Sequence, residues 1–187
     1  MAGLRIVSGR LKGRRIPSPE GLGARPSLEK NRIVLFEVLA ARYRLSDFQG
    51  VDLFAGSGAL GAEAYSRGAE PVTFVENHKE RALALQKNLG PLFGPDSFFL
   101  FKGDGLDWLK AQKLGGKPCL FLLDPPWGQG LGERALAFLG QNQDRWPGSL
   151  VVLEESADRP VFEGPGLTCF MVKKLGRARL DFFTLNP

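Results

Sequence analysis

Two cysteines, two methionines and one histidine in 187 residues leave little material for several kinds of site. Cys119 and Cys169 each stand in an apolar, strand-like run, which suits two reduced core thiols and not a disulfide. No spacing among the possible ligands marks a metal site. His78 stands just ahead of a helical stretch, where a structural role suffices. No apolar run approaches the roughly 20 residues of a membrane span. The residues between Arg5 and Arg10 are too few for the apolar core of a signal peptide, so a cytoplasmic chain that spans no membrane is expected. Repeats, linkers and low-complexity segments are also missing. What remains is a 43% hydrophobic, 24% charged composition, ordinary for one globular domain spanning residues 1–187. A monomer is expected.

Acidic residues are scarce in one region only. Residues 1–32 hold eight basic side chains (Arg5, Arg10, Lys12, Arg14, Arg15, Arg25, Lys30 and Arg32) against Glu20 and Glu29. That segment carries +6 of the total +5, so the rest of the chain sums to −1. Such a concentration suits a polyanion held through its phosphates, or else a merely solvated basic arm. Strand-like runs at 4–7 and 14–16 flank Ser8-Gly9-Arg10-Leu11-Lys12-Gly13, which reads as a hairpin. Arg10, Lys12, Arg14 and Arg15 lie at or near its tip, and Arg25 follows in a loop rich in proline and glycine. Residues 1–26 thus form a basic extension before a core of 27–187. Ser27 is placed to cap a helix whose Ile33, Leu35, Phe36, Val38 and Leu39 supply an apolar face.

The core is organised around 51–61, Val-Asp-Leu-Phe-Ala-Gly-Ser-Gly-Ala-Leu-Gly, read as a buried strand, a glycine loop and a helix over 60–67. Glycines let a ligand approach the backbone, and a helix start adds unpaired N–H groups with partial positive charge. Gly56, Gly58 and Gly61 also match the dinucleotide pattern, with Glu76 at the distance of a ribose-binding acid. Asp52 argues against a nicotinamide cofactor, since a carboxylate opposes a pyrophosphate but pairs with an ammonium. A methionine-plus-adenosine cofactor fits better. Residues 52–58 resemble motif I of the S-adenosylmethionine (AdoMet) methyltransferases.

From residue 51 onward, strands near 51–54, 71–75, 97–101, 119–123 and 149–153 alternate with helical segments, which gives an α/β, doubly wound, mostly parallel sheet. The strands are apolar throughout, as expected when helices cover both faces. Two last runs, 167–173 and 179–185, flank 174–177 and read as a C-terminal antiparallel hairpin. Ligands of such sheets bind beyond the carboxyl ends of the strands, and four acids stand there. Asp52 would take the methionine ammonium and Glu76 the ribose hydroxyls. Asp104, with the Gly105 N–H beside it, would take the adenine amine or simply cap the next helix. Phe54, Ser57 and Asn77 lie close by and would line the cofactor. Asp124 follows the fourth strand.

Asp124-Pro125-Pro126-Trp127 is the most specific signal. Two prolines end a central strand and leave the Pro125 carbonyl without local partners, so a rigid rim presents a carboxylate, a carbonyl and an aromatic face. Two acceptors can grip an exocyclic amine and aim its lone pair at an electrophile while Trp127 stacks on the base.

These motifs together resemble the amino-methyltransferases that carry Asp or Asn, Pro, Pro and an aromatic residue, with Trp127 standing where Tyr or Phe is usual. Arg-Ile-Val-Ser-Gly-Arg-Leu-Lys-Gly-Arg-Arg-Ile at 5–16, Arg-Pro-Ser from Arg25, the helix from Lys30, Ser-Arg-Gly-Ala at 66–69 and Leu-Asp-Phe-Phe at 180–183 extend the likeness. The whole chain resembles the bacterial 16S ribosomal RNA guanine-N2 methyltransferases of the RsmD type. That resemblance implies a Rossmann-like class I fold, AdoMet as methyl donor, and guanine N2 of 16S RNA in the 30S particle as acceptor. It also implies a Ser27 hydroxyl at the methionine carboxylate. Family members read Asp-Arg-Val-Arg-Glu before the helix, and this chain departs from that at Asn31. Adenine-N6 DNA methylation, glutamine-N5 protein methylation and a noncatalytic RNA-binding module are the competing readings. The basic hairpin opposes a protein substrate, and the intact loop with its Pro-Pro rim opposes loss of catalysis.

Overall fold

The computed structural model describes residues 3–17, 26–112 and 116–186. Arg25 lies outside the described residues, and so does the side chain of Ser27. A two-stranded antiparallel sheet, β1 (Gly3–Arg5) and β2 (Arg15–Pro17), precedes helix α1 (Pro26–Ala40). The main chain then alternates β3 (Gln49–Asp52), α2 (Ala59–Ser66), β4 (Val72–Glu76), α3 (Lys79–Leu89), β5 (Phe98–Lys102), α4 (Gly105–Ala111), β6 (Cys119–Leu123), α5 (Leu131–Gln141) and β7 (Leu150–Ser156). A hairpin of β8 (Leu167–Leu175) and β9 (Ala178–Leu185) ends it. The seven-stranded sheet has the order β5-β4-β3-β6-β7-β9-β8, parallel from β5 to β7 and antiparallel thereafter.

Side-chain alternation divides the core into layers. Val51, Leu53, Val75, Phe121, Leu123, Val151 and Leu153 face α4 and α5. Their neighbours Leu120, Leu122, Leu150 and Val152 face α1, and Phe74 faces α2 and α3. Burial on both faces explains why β3, β4, β6 and β7 lack the polar alternation of a half-exposed sheet, whereas the edge strand β5 departs from the expectation, with Phe99 and Phe101 exposed.

Three expectations need correction. The first core strand occupies 49–52, because Gln49 and Gly50 pair with Cys119 and Leu120 while Leu53 and Phe54 already turn. The final turn is two residues long, Gly176-Arg177, with Gly176 at φ +66°, so Lys174 and Leu175 belong to the strand. Cys119 is buried as expected, whereas Cys169 is exposed, because β8 is an edge strand with one face uncovered. Both thiols are free. Among the described residues no helix is long and apolar enough to cross a membrane, and no cluster suits a metal ion.

The basic hairpin is fastened to the core by residues that carry no signal in the sequence. Glu63 on α2 is buried, accepts the Val7 and Ser8 N–H groups at 2.9 and 3.0 Å, and pairs with Arg67 and Arg32. Ser66 accepts from the Leu11 N–H and donates to the Ser8 carbonyl. Gly9 presses so closely on this helix end that a Cβ would lie 1.9 Å from the Ser66 carbonyl oxygen, so only glycine fits.

Candidate active site

β3 lies between β4 and β6, so the chain leaves β3 and β6 in opposite directions across the sheet, and a crevice opens at their carboxyl ends. A cavity of about 960 Å³ fills it. Phe54, Gly56, Ser57, Glu76, Asn77, Asp104 and Gly105 line one side and Asp124, Pro125, Pro126 and Trp127 the other. The glycine loop and the Pro-Pro rim, separated by about 70 residues, therefore share one cavity.

The loop geometry follows from its glycines. Gly56 and Gly58 have φ +51° and +76°, and a Cβ at Gly58 would strike Leu89 at 2.4 Å, so α3 packs directly against the backbone. A Cβ at Gly56 would meet nothing nearer than 3.9 Å, which leaves that side open to the cavity. The Ser57, Ala59 and Leu60 N–H groups have no acceptor among the described residues, as a helix start requires of a site for polar ligand atoms.

Glu76 fastens the loop. It is 5% exposed, and its two oxygens accept from the Gly56 N–H and the His78 N–H, both at 2.8 Å. Each oxygen keeps a further lone pair for a ligand on the cavity wall. Asp104 does cap α4, one oxygen accepting from the Leu106 and Asp107 N–H groups, and it still borders the cavity. His78 is half exposed beside Glu80.

Asp52 is placed otherwise than its motif suggests. It is 1% exposed and stands behind the cavity wall, with one oxygen on the Gly61 N–H at 2.8 Å and the other buried without a partner. Burial, then the charge of Glu76, raises its pKa to about 7, against the pull of the Gly61 hydrogen bond. In this geometry Asp52 presents no accessible oxygen to an ammonium, and it braces the start of α2 from behind.

Asp124 borders the cavity, Pro125 is buried beneath it, and Pro126 and Trp127 are exposed, the indole at 41%. Burial is the main reason that the Asp124 pKa rises to about 8, and the carboxylates of Glu154, Asp52 and Glu155 add to it. Glu154 is absent from the residues expected at the site, although it follows the 149–153 run just as the other acids follow theirs. It lines the cavity, accepts from Asn31 Nδ2 at 2.8 Å, and is itself raised by burial. Asn31, Arg81 and Arg177 are further lining residues that the motifs do not point to.

The basic residues divide. Arg10 is tied down, its guanidinium 3.7 Å from the Tyr65 ring centroid and 2.8 Å from Glu70, so its charge is already matched. Lys12, Arg14 and Arg15 are exposed and have no ion pair among the described residues.

Comparison with known proteins agrees with this architecture. The family model described as Conserved hypothetical protein 95 matches residues 4–184. The chain is 33% identical over 174 residues to the ribosomal RNA small subunit methyltransferase D of Haemophilus influenzae, covering 92% of this chain and 89% of that one. It is 37% identical over 139 residues to the Escherichia coli protein of the same name, covering 74% and 68%. A solved structure of yhhF from Escherichia coli superposes with a TM-score of 0.81 at 30% identity over 99% of both chains. Matched over nearly its whole length in both sequence and fold, the chain belongs to the Conserved hypothetical protein 95 family of methyltransferases, which includes the proteins named ribosomal RNA small subunit methyltransferase D.

Proposed function

We propose that this protein transfers a methyl group from AdoMet to the exocyclic N2 of a guanine in 16S ribosomal RNA, acting as a cytoplasmic monomer on the 30S particle. The observation that carries the reading is the shared cavity, in which a helix start whose N–H groups have no acceptor among the described residues faces Asp124-Pro125-Pro126-Trp127. Family membership adds the reaction class, and the relatives' names add the RNA.

The residues present fit AdoMet. The N–H groups at 57, 59 and 60 and the open side of Gly56 suit its amino-acid portion, with the Ser27 hydroxyl at the start of α1 as the proposed partner of its carboxylate. Glu76 suits the ribose hydroxyls, and Asp104 with Gly105, beside Phe54 and Asn77, suits adenine. AdoMet supplies an electrophilic methyl on a sulfonium. Asp124 and the Pro125 carbonyl accept the N2 protons and aim its lone pair, while Trp127 supports the unstacked base. Positioning supplies most of the rate. The methylated nitrogen must then lose a proton, and Asp124, with its pKa near the operating pH, or water is suited to take it.

Guanine fits a carboxylate better than adenine does, because its N1–H and N2–H donors stand side by side. Lys12, Arg14 and Arg15 at the hairpin supply phosphate contacts, with Arg25 alongside in sequence. The test is labelled AdoMet offered with unmodified 30S subunits, naked 16S RNA and DNA, followed by nucleoside analysis. Label in N2-methylguanosine from 30S subunits is the expected result. Label in N6-methyladenosine, or in protein, overturns the assignment.

A further inference from the structure

Glu154 has no part in donor binding or in gripping N2, yet it stands beside Asp124. Leu123 is the parallel partner of Leu153, so the next residues stand at the same level, Asp124 just past the end of β6 and Glu154 still within β7, opposite Leu180 of β9. Alternation turns both toward the α1 side, since Leu122 and Val152, two residues earlier, pack in that layer. From α1, Asn31 donates Nδ2–H to Glu154 Oε1 at 2.8 Å, and Oε2 has no hydrogen-bond partner among the described residues. Asn31, Asp124 and Glu154 all line the cavity. Neither acid has an ion-pair partner among the described residues. Two carboxylates side by side in a buried wall repel one another and forfeit hydration, an arrangement suited to a ligand that brings two adjacent donors.

We infer that Glu154 is the second acceptor of the base site, taking guanine N1–H while Asp124 and the Pro125 carbonyl take N2–H, with Asn31 fixing which Glu154 oxygen faces the base. The inference rests on the guanine-N2 reading above. Adenine brings one donor beside the N1 lone pair, and a second carboxylate repels that lone pair. Glu154 therefore determines specificity at the same rim where Asp124 orients the amine.

The hydrogen bond from Asn31 makes the test sharp. Glu154→Gln is nearly isosteric, and Asn31 still donates to its amide oxygen, so the amide NH₂ turns toward the base and meets N1–H donor to donor. With 30S subunits, kcat/KM is expected to fall about tenfold or more while AdoMet affinity stays at the wild-type value and Tm does not fall. Adding Asn31→Asp reverses the hydrogen bond: the carboxylate introduced on α1 accepts from the amide NH₂, and the amide oxygen faces the base. Transfer by this swapped pair is expected to return to within a few-fold of wild type. The swap restores a matched pair, so it decides the question even where the single variant fails to fold. Glu154→Gln acting at the wild-type rate, a swapped pair that folds but stays as slow as the single variant, or a loss confined to AdoMet affinity overturns the inference. A wild-type product other than N2-methylguanosine overturns the guanine reading itself, which separates the two failures.

Discussion

Asp52 holds one hydrogen bond to Gly61 and leaves its second oxygen buried without a partner. Its pKa is raised from 3.8 to about 7, so the folded protein binds that proton more tightly than the unfolded chain does. Stability from this group is therefore fully present below the ordinary carboxylate range, is lost as pH rises through about 7, and changes no further above it. The Tm of the ligand-free protein should fall between about pH 4 and pH 7, and Asp52→Asn should flatten that fall. A Tm profile identical in the two proteins would show that Asp52 titrates normally. Asp124 gives the matching prediction for activity. If the carboxylate form grips the amine, kcat/KM for the particle should rise with pH and level off above about 8, the value to which burial and the charge of Glu154 push Asp124. A profile flat from pH 6 to 9 would contradict it. At this scale the sequence shows which acids stand at strand ends, but not which way they point. Asp52 and Glu76 both match the motif, and only the fold shows one behind the wall and the other on it.

Elements are legible in the sequence where local pattern decides them. The apolar run 119–123 is β6 to the residue, and the hairpin expected from the 4–7 and 14–16 runs forms with its strands at Gly3–Arg5 and Arg15–Pro17, because hydrophobic period and turn glycines are local signals. The insertion of β9 between β7 and β8, and the docking of the hairpin on α2, depend on distant partners. Glu63 and Ser66 look like ordinary helix residues until the chain folds back onto them. The division among basic residues follows from this docking. Replacing Lys12, Arg14 and Arg15 together with alanine should lower the slope of log affinity against log salt by at most about 2 to 3 for the RNA particle. AdoMet affinity and Tm should be unaffected. Arg10→Ala should instead cost about 1 kcal/mol of stability, read by urea titration, because it removes the cation over Tyr65. An unchanged salt slope in the triple variant would return those residues to the role of a solvated arm.

Across the whole molecule the sheet has two working halves. In the proposed reading, the carboxyl ends of β3, β4 and β5 carry the donor side, with the glycine loop, Glu76 and Asp104, while β6 and β7 carry the acceptor side, with Asp124 and Glu154. Sequence order conceals that β3 and β6 are neighbours, since the 66 residues from the end of β3 to the start of β6 include β4 and β5. Such a division predicts separable defects. Glu76→Ala should weaken AdoMet binding and abolish the thermal shift, which for wild type at 100 times its Kd is about 2.7 kcal/mol of added stability. The most direct test is single-turnover transfer to 30S subunits by Asp124→Ala under saturating AdoMet, with AdoMet affinity measured on the same sample. Wild-type affinity with transfer slowed by about 100-fold or more is the predicted result. Transfer at the wild-type rate would contradict the assignment of the acceptor rim.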